Sequence, residues 1–264
     1  MMKKIALLFL LFFSHLILAQ KDFVLGKIET IKSEELNEER TINVYLPAGY
    51  DANQNYPVIY LLDGSANEDF IHIVGILQYG NYEWVNMVSK SILIGIENVD
   101  RKRDFTFPTT IEKDKKDFPT TGSSEKFINF IEKELQPFVE SRYKVNSTRT
   151  IVGQSLGGLL ATEILYKKTK LFTNYIIISP SIWWDKQSLF TWNAEFEKPE
   201  FNQKTKVFIG VGKEGKVMEN DAKKLSQILS KNKKIESYFH YFGDANHGDI
   251  LHLAVYKAFE TLKI

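Results

Sequence analysis

The sequence predicts a three-layer α/β sandwich, with a mostly parallel central sheet between helices and an antiparallel hairpin at the N-terminal edge. Three observations predict it. Two early extended segments alternate apolar and polar residues. Several later segments are almost continuous apolar runs, the mark of strands covered on both faces. Helical patterns separate those runs, as repeated β-α-β units require.

Taken in order, residues 1–19 precede the fold. Met1-Met2-Lys3-Lys4 is basic, residues 5–18 are apolar apart from Ser14 and His15, and Ala19 stands before Gln20. That is the layout of a secretory signal peptide. The run is short for a bilayer span, which needs about 20 apolar residues. The expected organisation is a signal peptide over 1–19 and one catalytic domain over 20–264, exported to the periplasm or beyond, with no stable membrane span after cleavage. Residues 23–31 and 40–47 read as the edge hairpin, joined by the polar residues 34–39. Residues 58–62, 91–96, 148–152, 175–178 and 207–211 read as central strands. Residues 124–143, 159–165, 222–229 and 251–262 read as helices. The connections 101–122 and 183–203 are long for a compact domain, and the second holds three of the four tryptophans. Both follow strand ends, which makes them candidate rims or lids.

Composition narrows the chemistry. Hydrophobic residues make up 44% and aromatic residues 13%, enough for a large core. A net charge of +1 gives no bulk case for nucleic-acid binding. The absence of cysteine excludes disulfides, a thiolate metal site, a cysteine nucleophile and a lipid-bearing cysteine. Neither repeats nor low-complexity tracts are present.

Gly153-Gln154-Ser155-Leu156-Gly157-Gly158 carries the most chemical information. It lies between the β-branched run 148–152 and the helical run 159–165. Strand, G-x-S-x-G and helix together read as a nucleophile elbow, with Ser155 at its tip and a helix N-terminus facing developing negative charge. A serine needs a base. Of the five histidines, His15 lies in the leader, His72 in an apolar segment, His240 in a strand and His252 in the last helix. His247 sits in a loop between the last strand and the last helix, where it can reach the same sheet edge. An acid between Ser155 and His247 completes the chain order of such sites. Glu214, after strand 207–211, is preferred. Glu219 and Asp221 remain alternatives, and Asp185 follows a different strand. The oxyanion donors are expected to be the backbone N–H groups of Leu156 and, in the loop Asp63-Gly64-Ser65, of Ser65.

Four segments together resemble the putative-esterase family of α/β-hydrolases: Tyr60-Leu61-Leu62-Asp63-Gly64, Arg101-Lys102-Arg103-Asp104-Phe105-Thr106, the elbow, and Ser179-Pro180-Ser181-Ile182-Trp183-Trp184. This family groups esterase D, ferric-enterobactin esterases, feruloyl esterases and the antigen 85 mycolyltransferases. The middle motifs point to its siderophore-esterase-like branch. The resemblance runs from about Thr41 to the C-terminus. It implies an α/β-hydrolase fold and a serine carboxylesterase that needs no metal or cofactor. Its partner would be a small-molecule ester of siderophore, phenolic or sugar type. It also implies that Ser155 is nucleophile, His247 base and Glu214 acid, and that Ser65 lies in the oxyanion loop. Phe107, inserted before Pro108, departs from the family's arginine-aspartate motif. Arg101 and Arg103 either clamp an anionic acyl group or a ferric catecholate, or, for Arg103, pair with Asp104 or nearby carboxylates. Trp183 and Trp184 either wall a planar substrate or pack in the core. Acyl transfer on the same residues and a non-catalytic binding role are the competing readings, and an intact Ser155, His247 and acid weigh against the latter.

Overall fold

The computed structural model describes residues 21–264, so the expected signal peptide lies outside the described residues. The strands are β1 (Lys27–Ser33), β2 (Glu38–Tyr45), β3 (Tyr56–Leu61), β4 (Ile92–Ile96), β5 (Val145–Gln154), β6 (Asn174–Ile178), β7 (Thr205–Gly212) and β8 (Ile235–Phe242). They form one sheet in the order β1-β2-β4-β3-β5-β6-β7-β8. The β1–β2 and β2–β4 pairs are antiparallel and the remaining pairs parallel. The expected hairpin is therefore the sheet edge.

Side-chain alternation builds the three layers. Val58 and Tyr60 of β3, with Tyr175 and Ile177 of β6, face one apolar cluster. Ile59 and Leu61, with Ile176 and Ile178, face the other. Helix α1 (Phe70–Gly80) and the last helix, Ile250–Leu262, fill the second cluster through Ile73, Val74, Leu77, Ala254 and Val255. The elbow helix, Leu156–Lys167, and the helix Lys216–Leu229 fill the first through Leu159, Leu160, Ile164, Ala222 and Leu225. Among the described residues, no helix is long and apolar enough to cross a membrane.

Several elements differ from expectation. Helix α1 is an element the apolar pattern does not predict. Its apolar residues Phe70, Ile73, Val74 and Leu77 share one buried face, while two glycines and His72 obscure the pattern. The expected helix over 124–143 is α-helical at Ser124–Phe130 and Gln136–Arg142, with a π turn at Ile131–Leu135 between. Pro137 lies in the first turn after it and cannot donate a ladder hydrogen bond. The helix expected over 222–229 starts earlier, at Lys216. The connection 101–122 holds two short helices, Arg101–Phe105 and Glu112–Asp117. It is tied to the second long connection. Trp184 Nε1 donates to Phe107 O at 2.8 Å, and Thr109 Oγ1 and Thr110 N–H donate to Asp185 Oδ1 at 3.0 and 2.6 Å.

Buried charge fixes the first of these connections to the hairpin. Arg40, fully buried, donates to Glu38 Oε1 at 2.8 Å, Asp104 Oδ2 at 2.7 Å and Glu97 O at 2.8 Å. Its guanidinium lies 5.1 Å from the centre of the Phe127 ring. Asp104 is also fully buried and accepts from Arg103 Nε at 2.7 Å. Arg40→Met removes one cation and leaves the buried Asp104 carboxylate half-compensated. Urea unfolding should show a loss of about 3 kcal/mol. A loss under about 1 kcal/mol would mean that Arg103 alone suffices.

Candidate active site

In this sheet the chain leaves β3 toward β4 and leaves β5 toward β6, in opposite directions from adjacent strands. The carboxyl ends of β3 and β5 therefore flank a crevice at a topological switch point. Asp63-Gly64-Ser65 follows β3 and Ser155 follows β5. Ser155 adopts φ 59°, ψ −119°, a conformation few side chains tolerate. Three backbone bonds hold it there: Ser155 N–H to Ile178 O at 3.0 Å, Leu159 N–H to Ser155 O at 2.9 Å and Ser181 N–H to Ser155 O at 3.0 Å. A Cβ on Gly153 would lie 2.3 Å from Gly157 O, so this position admits only glycine. A Cβ on Gly157 would meet Asp63 Oδ2 at 3.3 Å, a far milder contact. The steric demand of the motif therefore falls on its first glycine.

Glu214 and His247 meet beside Ser155. Glu214 Oε2 lies 2.5 Å from His247 Nδ1, and its Oε1 accepts from Ser179 Oγ at 2.5 Å and Gly212 N–H at 2.9 Å. Burial opposes the Glu214 charge, but hydrogen bonds from His247, Ser179 and Gly212 together outweigh it and hold the carboxyl below its usual range. An ionised Glu214 can only accept, so the proton of a neutral His247 sits on Nδ1 and Nε2 is left as the basic nitrogen. The His247 loop is anchored by Gln154 Nε2, which donates to His247 O at 2.6 Å, and by Lys213 N–H, which donates to Ala245 O at 2.7 Å. Ser155 Oγ rests 3.4 Å from Ser181 Oγ. Of the alternative acids, Glu219 accepts from the N–H groups of Glu214 and Gly215 at 3.1 and 3.0 Å and so supports the loop. Asp221 is buried in its helix near Gln187.

The remaining residues separate into those at the crevice and those that are not. Two clefts share Ser155 and His247. One, of about 530 Å³, is lined by Ser181, Trp183, Lys213, Glu214, Met218 and Asn246. The other, of about 400 Å³, is lined by Asp63, Glu68, Asp69, Arg101, Gln154 and Gly248. Trp183 is 39% exposed at the first cleft. Arg101 reaches the second but is already paired. Its Nε and Nη2 donate to Asp63 at 2.6 and 2.9 Å, and Nη2 also donates to Gln154 O at 3.2 Å. The expectation of substrate contact fails for two residues. Trp184 is only 2% exposed, because its ring packs in the core and its N–H serves Phe107 O. Arg103 lines neither cleft, because it is held by Asp104 and by both oxygens of Glu38 at 2.9 and 2.6 Å.

Leu156 N–H opens the elbow helix, and neither it nor Ser65 N–H meets a protein acceptor among the described residues. Gly64 N–H is taken by Ile96 O at 2.9 Å. Ser65 itself lines neither cleft, and its Oγ bonds Asn67 Oδ1 and Glu68 Oε2 at 2.8 and 2.7 Å. Reasoning on sequence missed Gln154, Ser179, Lys213, Met218 and Asp69. Ser179 opens the Ser179-Pro180-Ser181 segment after β6, and Gln154 occupies the first variable position of the elbow. The others carried no local signal.

Asp69, just before α1, gives the second cleft a titratable charge. Burial and the charges of Asp63 and Glu68 push its carboxyl up to about 7, against the opposing Arg101. A raised carboxyl stabilises the fold fully below its ordinary value of 3.8, and that contribution is lost as pH rises through about 7. Asp69→Asn should therefore gain stability relative to the unchanged protein as pH rises from 5 to 8. Urea midpoints across that range measure the gap, and a gap that does not vary with pH contradicts the assignment.

The putative-esterase family model matches residues 33–251. The ferri-bacillibactin esterase BesA of Bacillus subtilis (strain 168) is 30% identical over 258 residues, covering 89% of each chain. Among solved structures, the BES protein from Bacillus cereus superposes with a TM-score of 0.82 at 28% identity, over 91% of this chain and 95% of that one. An IroE-like serine hydrolase from Shewanella oneidensis gives 0.80 at 29% identity, over 90% and 79%. On the match over residues 33–251 and the length of the shared sequence, the chain belongs to the putative-esterase family and has the α/β-hydrolase fold.

Proposed function

We propose that this protein is a serine esterase that hydrolyses siderophore-type or phenolic esters through an acyl-enzyme, with Ser155 as nucleophile, His247 as base and Glu214 as the orienting acid. The observation that carries this reading is the 2.5 Å contact of Glu214 with His247 Nδ1 in a cleft shared with the strained Ser155. In the first step Ser155 Oγ leaves Ser181 and attacks the ester carbonyl carbon, while its proton passes to His247 Nε2. Glu214 stabilises the resulting imidazolium. The oxyanion receives hydrogen bonds from Leu156 N–H and Ser65 N–H and the field of the elbow helix. Collapse breaks the C–O bond, and the imidazolium gives its proton to the leaving alcohol. Water then attacks the acyl-enzyme, His247 takes its proton, and Ser155 recovers it as the acid departs.

Hydrolysis rather than acyl transfer is supported by the access of water, since the His247 side chain is 46% exposed. The substrate class is supported by the named activity of the Bacillus subtilis relative and by Trp183, an exposed aromatic face beside Ser155. The basic, apolar leader supports export, with action in the periplasm or outside the cell.

Ser155→Ala should lower ester turnover by at least about 10³-fold with little loss of stability, and a phosphonate inhibitor should label the unchanged protein at Ser155. A panel of trilactone, feruloyl, acetyl-sugar and simple acyl esters reads both activity and preference. Turnover retained in a folded Ser155→Ala protein would refute the mechanism.

Glu214→Gln is nearly isosteric but cannot stabilise the imidazolium. Turnover should fall by about 10⁴-fold with a small change in KM, while Glu219→Gln and Asp221→Asn stay within about tenfold. Collapse in either of the latter, with Glu214→Gln active, would move the acid.

A further inference from the structure

The carboxyl ends of the parallel strands form the Ser155 crevice. Their opposite ends form a separate cavity of about 930 Å³, at the starts of β3, β6, β7 and β8, where Tyr56, Asn174, Thr205 and Ile235 line it. Six lysines line this cavity: Lys90, Lys204, Lys206, Lys233, Lys234 and Lys263. The chain as a whole is nearly neutral, with 34 basic and 33 acidic residues. Among the described residues, none of these six lysines forms an ion pair. Lys206 Nζ donates to Leu262 O at 2.7 Å and Lys234 Nζ to Phe201 O, contacts that orient the two ammonium groups without cancelling their charge. Glu236, whose carboxylate accepts from Tyr238 OH, is the acidic side chain along the wall. Cations gathered in a concave wall focus a positive potential into it.

We propose that this groove binds an acidic polysaccharide, a chain bearing carboxylate or sulfate groups, at a site distinct from the ester-cleaving crevice. The lysines supply charge contacts. The exposed Gln54, Asn55 and Asn146, which line the same cavity, supply donors and acceptors for sugar hydroxyls. A bilayer is a poorer fit, because the wall is concave and its large apolar members Tyr56, Ile235 and Ile264 are only 4%, 5% and 9% exposed, leaving no anchor to insert. The same burial leaves no aromatic face on which nucleic-acid bases would stack.

The test titrates the full chain with polygalacturonate, dextran sulfate and neutral dextran by calorimetry at several salt concentrations. Duplex DNA and phosphatidylglycerol vesicles serve as competing polyanions. At least one acidic polysaccharide should bind, with affinity that falls as salt rises, and neutral dextran should not. Lys90, Lys204 and Lys233 are exposed and take no part in the crevice. Their combined replacement by glutamine should weaken binding at least tenfold and reduce the log–log salt slope by about one unit per lysine at most. Ester turnover and circular dichroism should not change. A control that replaces the exposed Lys116, Lys126 and Lys223, which line no part of the groove, removes the same charge and should retain binding. The proposal is overturned if neither acidic polysaccharide binds, if the groove variant binds as tightly as the unchanged protein, if the control loses as much as the groove variant, or if only DNA or vesicles bind.

Discussion

Ser155 is held in a conformation that costs about 1–3 kcal/mol, and the rest of the crevice is arranged around that strain. Its φ of 59° is maintained from three sides, by Ile178 O, by Leu159 N–H and by Ser181 N–H. Those groups belong to β6, to the elbow helix and to the loop after β6. The turn is thus over-determined by elements that meet only once the parallel sheet has formed. The position of β5 beside β3, where the chain reverses its direction of crossing, leaves the space into which Ser155 projects.

Two charged clamps extend this rigidity to the loops. On one side Arg101 pairs with Asp63 through two nitrogens and reaches Gln154 O, tying the loop after β3 to the strand that carries Ser155. On the other, Glu214 accepts from Ser179, Gly212 and His247, which joins the ends of β6 and β7 to the loop before the last helix. Gln154, the residue before Ser155, holds that loop by its backbone as well. Glu214 and His247 therefore arrive from separate stretches of chain but are positioned beside Ser155 by the same strand ends. Six lysines that form no ion pair among the described residues outnumber Glu236 at the other end of the sheet, so the molecule separates its charge into a partly acidic crevice and a basic groove.

Much of the architecture is legible along the chain because burial on two faces writes itself as continuous apolar runs. Residues 58–62, 91–96, 175–178 and 207–211 each correspond to a parallel strand within a residue or two. Helix α1 is harder to read, since the exposed Ile71 and Tyr79 put apolar residues on its solvent face and two glycines lower its helical propensity. The π turn at Ile131–Leu135 depends on how Pro137 is accommodated in packing, which local pattern does not express.

Local chemistry in the sequence by itself determined the elbow around Ser155. It also narrowed the candidate base to His247 and the candidate acid to a few carboxylates after β7, because chain order and loop position follow from the strand pattern. Only the tertiary structure decided which carboxylate meets His247. Glu214, Glu219 and Asp221 lie within one short stretch, and backbone direction at the end of β7 sends the first to the imidazole, the second to the loop amides and the third into the core. It also decided the adjacent tryptophans and the arginine pair. Trp183 lines the crevice, whereas Trp184 is buried and donates to Phe107 O. Arg101 finds Asp63 at the crevice, whereas Arg103 finds Asp104 and Glu38 behind it. Long-range pairing of charges separates such neighbours, and no spacing in the sequence encodes it.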